Sequence, residues 1–270
     1  MNDAAAPFGP PPSPTLGDAM RFAFGTLTVL PVRLRRWDRA AARGGMLCAP
    51  VAGLVVGLAA AALGTLLLLL DSGPLLAAVA TAAVPAVLTR GLHLDGLADT
   101  ADGLGSGKPA EDALRIMKQS DIGPFGVITL LFTLLAQVAA LAQLYERGWA
   151  HGAAAAVVAA VTARCALTLA ARPGVPPARP EGLGAAVAGT VPLRAAAATA
   201  LAVVALCAAL GAHSGPYGAL HTGLAALLAL AAGEAALRRC RHRFGGITGD
   251  VFGAIAETAG LAAVVVAALG

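Results

Sequence analysis

Three carboxylates, Asp95, Asp99 and Asp102, fall within eight residues of the run GLHLDGLADTADGL at positions 91–104. Only 15 acidic residues occur among the 270, so this cluster stands out from a chain that is mostly hydrocarbon. Spacings of four and three place all three on one helical face. Ionised carboxylates so close repel one another and raise each other's pKa values unless a cation sits among them. The chemistry such a face suggests is the holding of a divalent metal. A polar loop of Asp-Gly turns is the alternative reading, and the i, i+4, i+7 register argues against it.

Other residues could serve the same chemistry. Asp250 and Glu257 lie seven apart on the last predicted helix and share a face. Glu257 falls inside an apolar span, where an ionisable group should face the bundle interior. It either bonds between helices or joins Asp250 and the Asp95 cluster around metal ions. Oxygen-only ligands of this kind suit Mg²⁺ or Mn²⁺. Arg164 is also mid-span and needs an anionic partner, a protein carboxylate or a substrate phosphate. Lys118 is a second phosphate contact on one reading and an interfacial lysine attracted to lipid headgroups on the other. Gly245, Gly246 and Gly249 let backbone N–H groups approach an anion at a helix start. His93 is within reach of the aspartates as a base or donor, but a structural role is favoured. His151, His213 and His221 fall near the opposite face and suggest no site. No Ser/His/Asp grouping converges and no Walker-type loop occurs. Metal-binding carboxylates with cationic residues at a membrane surface point to phosphoryl or phosphodiester transfer.

The elements that must position these residues follow from composition. The apolar fraction is 58%, the charged fraction 13% and the mean hydropathy +0.77. A soluble domain is about 25% charged, so this is an integral membrane protein. Its length suits about seven spanning helices of roughly 20 residues, an all-α polytopic bundle packed through small residues. Spans are expected at about 49–70, 75–89, 125–144, 153–171, 195–210, 218–232 and 251–269. The second should continue helically into the acidic motif. Leu16 to Leu30 reads as an interfacial helix, 109–119 as a short helix, and 172–192 and 238–243 as loops. Residues 1–17 read as a disordered Pro/Ala-rich tail without a signal peptide, and 18–270 as a single transmembrane catalytic domain.

Charge tests this topology. If the basic segment 33–43 is cytoplasmic, alternate crossings bring 91–123, 172–194 and 238–250 to the same side. Nearly every Lys and Arg then shares one face, as the positive-inside rule expects, with Arg147 and the mid-span Arg164 apart. The acidic motif, the loop at Glu181 and the Asp250 loop converge there. The net charge of +4 does not indicate nucleic-acid binding, because no basic stretch interleaves aromatics. Cys48, Cys165, Cys207 and Cys240 lack CxxC spacing and read as packing residues.

Four segments resemble the cobalamin synthase (adenosylcobinamide-GDP ribazoletransferase) family: GLHLDGLADTADGL at 91–104, MKQSDIGPFG at 117–126, EGLG at 181–184 and GGITGDVFGAIAE at 245–257. Weaker similarity lies at 27–32 and 162–164. The resemblance implies a multi-pass inner-membrane enzyme whose active site faces the cytoplasm. It would join adenosylcobinamide-GDP to α-ribazole, or its 5′-phosphate, and release GMP using Mg²⁺. It implies metal ligation by Asp95, Asp99, Asp102 and Asp250, supported by Glu257, and diphosphate contacts from Arg164 and Lys118. Glu181 and the three glycines would help hold substrate, Asp102 could accept a proton, and other enzymes of the corrinoid pathway are candidate partners. A CDP-alcohol phosphotransferase is a competing reading, but its Asp-Gly-x-x-Ala-Arg pattern is absent, since Leu97-Ala98 is followed by Asp99. An ion-coupled transporter using Glu257 and Arg164 is the other, and it would want its charges near the midplane.

Overall fold

A computed structural model describes residues 13–270, and among them the only β-type pairing is an isolated bridge between Pro177 and Ile247. The expected tail lies mostly outside the described residues. The first helix, α1 (Leu16–Leu27), opens on a capping box in which Thr15 and Asp18 exchange hydrogen bonds. The next, α2 (Arg39–Leu69), begins well before the expected 49. Asp38 accepts from the N–H groups of Ala40 and Ala41, so the basic segment is helical from Arg39 onward, while Arg33, Arg35 and Arg36 precede the helix.

The acidic motif does not continue the preceding helix. α3 (Pro74–Leu88) ends, and α4 (Leu92–Gly105) leaves it at 87°. Arg90 and Gly91 both take positive φ, 53° and 70°, and the Gly91 N–H returns to the carbonyl of Ala86 at 2.7 Å. Gly91 adopts this conformation without steric cost, and the pair closes α3 as a left-handed cap. Thus α3 makes the crossing and α4 runs across the end of the bundle.

The rest follows the expected order: α5 (Ala110–Ile116), α6 (Pro124–Glu146), α7 (Trp149–Ala170), α8 (Gly182–Val187), α9 (Leu193–Gly211), α10 (Gly215–Phe244) and α11 (Gly249–Ala268). The segment 238–243, expected as a loop, is instead the last turns of α10.

Five helical stretches are long and apolar enough to cross a membrane, and the bent pair α3 and α4 adds a sixth. One of the five, 193–244, contains both α9 and α10. Gly223 packs beside the Ala208 methyl and Gly211 against Thr222, so these helices fold back on each other. A straight helix would hold residues 208 and 223 about 22 Å apart. Counting that hairpin as two passes gives the seven crossings expected.

Small residues let the helices approach. A methyl at Gly53 of α2 would lie 2.4 Å from the Ala160 carbonyl oxygen of α7. Large apolar side chains such as Leu69, Phe132, Leu201 and Leu227 point outward, as lipid-facing positions require. The four cysteines are free, and all but Cys48 are buried.

Contacts assign each helix end to one of two faces. At one face Arg39 reaches the carbonyls of Ala185 and Ala188, and Lys118 reaches Glu181. There the Ala178 N–H also bonds the Ile247 carbonyl. At the other face Arg147 bonds the Ala268 carbonyl, and His151 and His213 meet edge to face. Every lysine and arginine apart from Arg147 and Arg164 belongs to the first face or its border.

Candidate functional site

The site begins where α4 crosses the start of α11. Gly96 lies directly on the Asp250 backbone, which brings the helices close enough to gather side chains from both. Asp95 is exposed and Asp99 half-buried on the outward side of α4, while Asp250 stands in the first turn of α11. Burial, followed by the charges of Asp95, Asp250 and Asp102, pushes the Asp99 carboxyl up to about 7, and Arg179 opposes the shift in part. Asp99 therefore lacks a full complement of positive charge.

Asp95 and Asp99 open onto a cavity of about 820 Å³ between α1, α4 and the segment preceding α6. Arg90, Lys118 and Asp121 also line it. Lys118 donates to Glu181 at 3.1 Å, a pair exposed enough for either partner to turn to a ligand.

Asp102 has a different setting. It is 8% exposed, and its two oxygens accept from the N–H groups of Gly123 and Gly126 at 2.8 and 2.9 Å. It thus caps α6. A methyl at either glycine would fall within 2.6 Å of the carboxylate, so the glycines of the GPFG segment make room for this cap. Each oxygen accepts one backbone donor and keeps a second lone pair, so this cap is a structural duty of Asp102 beside the roles the resemblance implies.

Arg164 and Glu257 are also separated from the aspartates. They line a second, interior cavity of about 60 Å³ behind α4, together with Gln137 and Leu94. Gln137 donates to Glu257 at 3.1 Å. Arg164 is 4% exposed and lies 3.4 Å from Nδ1 of His93, on the inward side of α4. Glu257 thus bonds between helices, while Arg164 has no carboxylate within ion-pair distance among the described residues.

The glycines of 245–249 serve the chain's own path. Gly245 ends α10 with φ 78° and bonds the Arg241 carbonyl, and Gly249 begins α11. Gly246 lies against Pro176–Ala178, where a methyl would meet the Pro176 oxygen at 2.4 Å. This contact fastens the 172–192 loop to the start of α11.

That fastening delivers a residue absent from the sequence expectations. Arg179 pairs with Asp250 at 3.4 Å and also donates to the Leu114 carbonyl. Arg90 is the second such residue, placed at the cavity wall by the α3–α4 break. The basic residue in PPARPEGLG offered the only signal for Arg179.

Among the described residues no three His, Cys, Asp or Glu side chains stand close enough to hold a metal ion alone. Mg²⁺ uses one or two carboxylates together with water and substrate phosphates, so a partial set of oxygen donors beside an open cavity fits it. The uncompensated charge at Asp99 fits it too.

Fold and site define a polytopic helical membrane protein with a pocket at one end lined by Asp95, Asp99, Asp121, Arg90 and Lys118. The chain belongs to the family described as cobalamin-5-phosphate synthase, whose profile matches residues 19–268. It is 44% identical over 263 residues to an adenosylcobinamide-GDP ribazoletransferase of Frankia casuarinae, covering 92% of this chain and 94% of that one. A relative of the same name from Nocardioides is 40% identical, covering 90% and 94%. Another, from Bradyrhizobium diazoefficiens, is 39% identical over 92% of each chain. No solved structure matches.

Proposed function

We propose that the chain joins adenosylcobinamide-GDP to α-ribazole, or to α-ribazole 5′-phosphate, at the cavity beside Asp95 and Asp99. The 3′-hydroxyl oxygen of ribazole forms a bond to the phosphorus attached to cobinamide. The bond from that phosphorus to the bridging oxygen breaks, GMP leaves with that oxygen, and the proton of the hydroxyl passes to water. The product is adenosylcobalamin or its 5′-phosphate. The relatives' shared name and their coverage of most of this chain support the reaction.

The observation that carries the site is the gathering of Asp95, Asp99 and Asp250 where α4 crosses α11, beside a cavity with cationic residues on its wall. We assign Asp99, with Asp95 or Asp250 beside it, to hold Mg²⁺ or Mn²⁺ together with water and phosphate oxygens; when bound, the ion supplies charge neutralisation for the diphosphate. Lys118 and Arg90 contact phosphate oxygens, with Lys118 leaving Glu181 to do so. Arg179 holds Asp250 in place, and Asp102 holds the start of α6 at the cavity rim. The positive-inside rule turns this face to the cytoplasm, with the chain in the inner membrane.

The test is purified protein in liposomes with adenosylcobinamide-GDP, α-ribazole and Mg²⁺. Production of GMP and adenosylcobalamin is expected. Their absence, with an active relative working alongside, would overturn the assignment.

A further inference from the structure

The last turns of α10 carry Arg238, Arg239, Arg241, His242 and Arg243, a denser run of positive charge than any other helix here. Cations at a helix C-terminus are favoured by the helix dipole, which helps explain why they accumulate at this end. Three of them, Arg238, Arg241 and His242, line with Pro176 and Gly245 a separate open cavity of about 300 Å³. No carboxylate belongs to that lining.

The nearby acid does not neutralise it. Glu234 is shared by Arg172 and Arg238, each at 2.8 Å, so one negative charge answers two positive ones. Arg243 donates to the Lys108 carbonyl, a neutral partner. The Nε–H of Arg241 is shielded from solvent and meets no acceptor among the described residues. Arg241 has no side-chain hydrogen bond or ion pair among the described residues, so its charge is unanswered by the protein and its outer nitrogens remain for an anion. The guanidinium fork matches tetrahedral phosphate oxygens better than a point charge does.

The cavity lies beside the Pro176–Ala178 and Gly246–Ile247 contact, and it shares no lining residue with the aspartate cavity. Its position, at the end of a spanning helix on the basic face, is where anionic lipid headgroups concentrate. We propose that this cavity is a phosphate-binding site, distinct from the aspartate site and filled by the phosphate of an anionic phospholipid or by a soluble phosphate.

The two carriers are distinguishable with full-length protein. Native mass spectrometry after extraction from phosphatidylcholine vesicles containing phosphatidylglycerol reads retained lipid. Hydrogen exchange at 238–245 in pure phosphatidylcholine vesicles, with and without inorganic phosphate, reads the soluble carrier. Retained phosphatidylglycerol that falls several-fold in the Arg238→Gln/Arg241→Gln double variant, but not in Arg33→Gln/Arg35→Gln, supports a lipid headgroup. Protection by inorganic phosphate that the first double variant loses supports a soluble carrier.

Absence of both effects in the unmodified protein overturns the proposal. Equal loss of lipid in the two double variants also overturns it, because diffuse surface charge would then be the cause. Arg241→Lys keeps the charge and removes the fork, so it should retain the fold and lose only part of the binding. Undiminished binding in Arg241→Lys and in the first double variant counts against the site. Neither readout requires turnover, so this proposal and the transfer reaction stand or fall separately.

Discussion

Asp99 and Asp102 sit less than one turn apart on α4, and their surroundings are opposite. Asp102 is buried and has two backbone N–H donors, so its charge is answered by the start of α6. Asp99 is half-buried against Asp95 and Asp250, and its carboxyl is pushed up to about 7. A carboxylate that accepts from the chain on both oxygens has an architectural duty. One left short of positive charge is ready for something the chain does not supply. The inward side of α4 stands between the two patterns: Gln137 donates to Glu257 and Arg164 lies beside His93, whose Nε2 meets no partner among the described residues.

The largest effect that could break this contrast is at Asp99. Asp99→Asn should lower turnover by about 10²–10³-fold or more, with thermal unfolding in detergent unchanged or raised because repulsion is relieved. Retained turnover would remove Asp99 from the metal site. Next comes Asp102→Ala, which leaves two N–H groups without an acceptor at a cost of about 1–3 kcal/mol each. Its signature should be a lower unfolding temperature and faster hydrogen exchange at 123–126. A variant that kept full stability and lost only turnover would make Asp102 a reacting group and dissolve the distinction.

Arg179→Gln sharpens the comparison by loosening Asp250. The Mg²⁺ concentration for half-maximal activity should rise about 10–100-fold, and Arg179→Lys should recover part of the loss. An unchanged Mg²⁺ requirement would show that Asp250 needs no such support. The smallest effect is expected at Glu181, whose pair with Lys118 is more than half exposed on both sides. Glu181→Gln should alter stability by no more than about 1 kcal/mol, as measured by thermal unfolding.

Much of this fold was legible in hydropathy and charge. Long apolar runs gave the crossings, and the arginine distribution assigned their ends to faces. The α3–α4 break was harder to read, because Arg90 carries no signal of a left-handed conformation and only Gly91 permits one. The shared face of Asp95, Asp99 and Asp102 was read correctly, but a face seven residues long extends about 10 Å. Its two ends therefore meet different neighbours, α11 and α6. Periodicity fixes the angle around a helix and says nothing about what arrives along its length. Arg179 was illegible for a related reason. It lies in a Pro-rich loop without period, and its partner is 71 residues away. Arg164 and Glu257 carried both a structural and a substrate reading in the sequence, and only packing shows that Gln137 of α6 is what meets Glu257.

Gly96 has a consequence for the tuning of this site. A methyl there would meet the Asp250 carbonyl oxygen at 2.6 Å, so α4 and α11 touch backbone to backbone where their carboxylates meet. The gap between Asp99 and Asp250 is thus gauged by a missing side chain. Gly96→Ala would work as a spacer, widening that gap while leaving every carboxylate in the chain intact. On the proposed metal role of Asp99 and Asp250, the choice of ion by radius, smaller Mg²⁺ against larger Mn²⁺ or Ca²⁺, would then be set by one hydrogen atom at position 96.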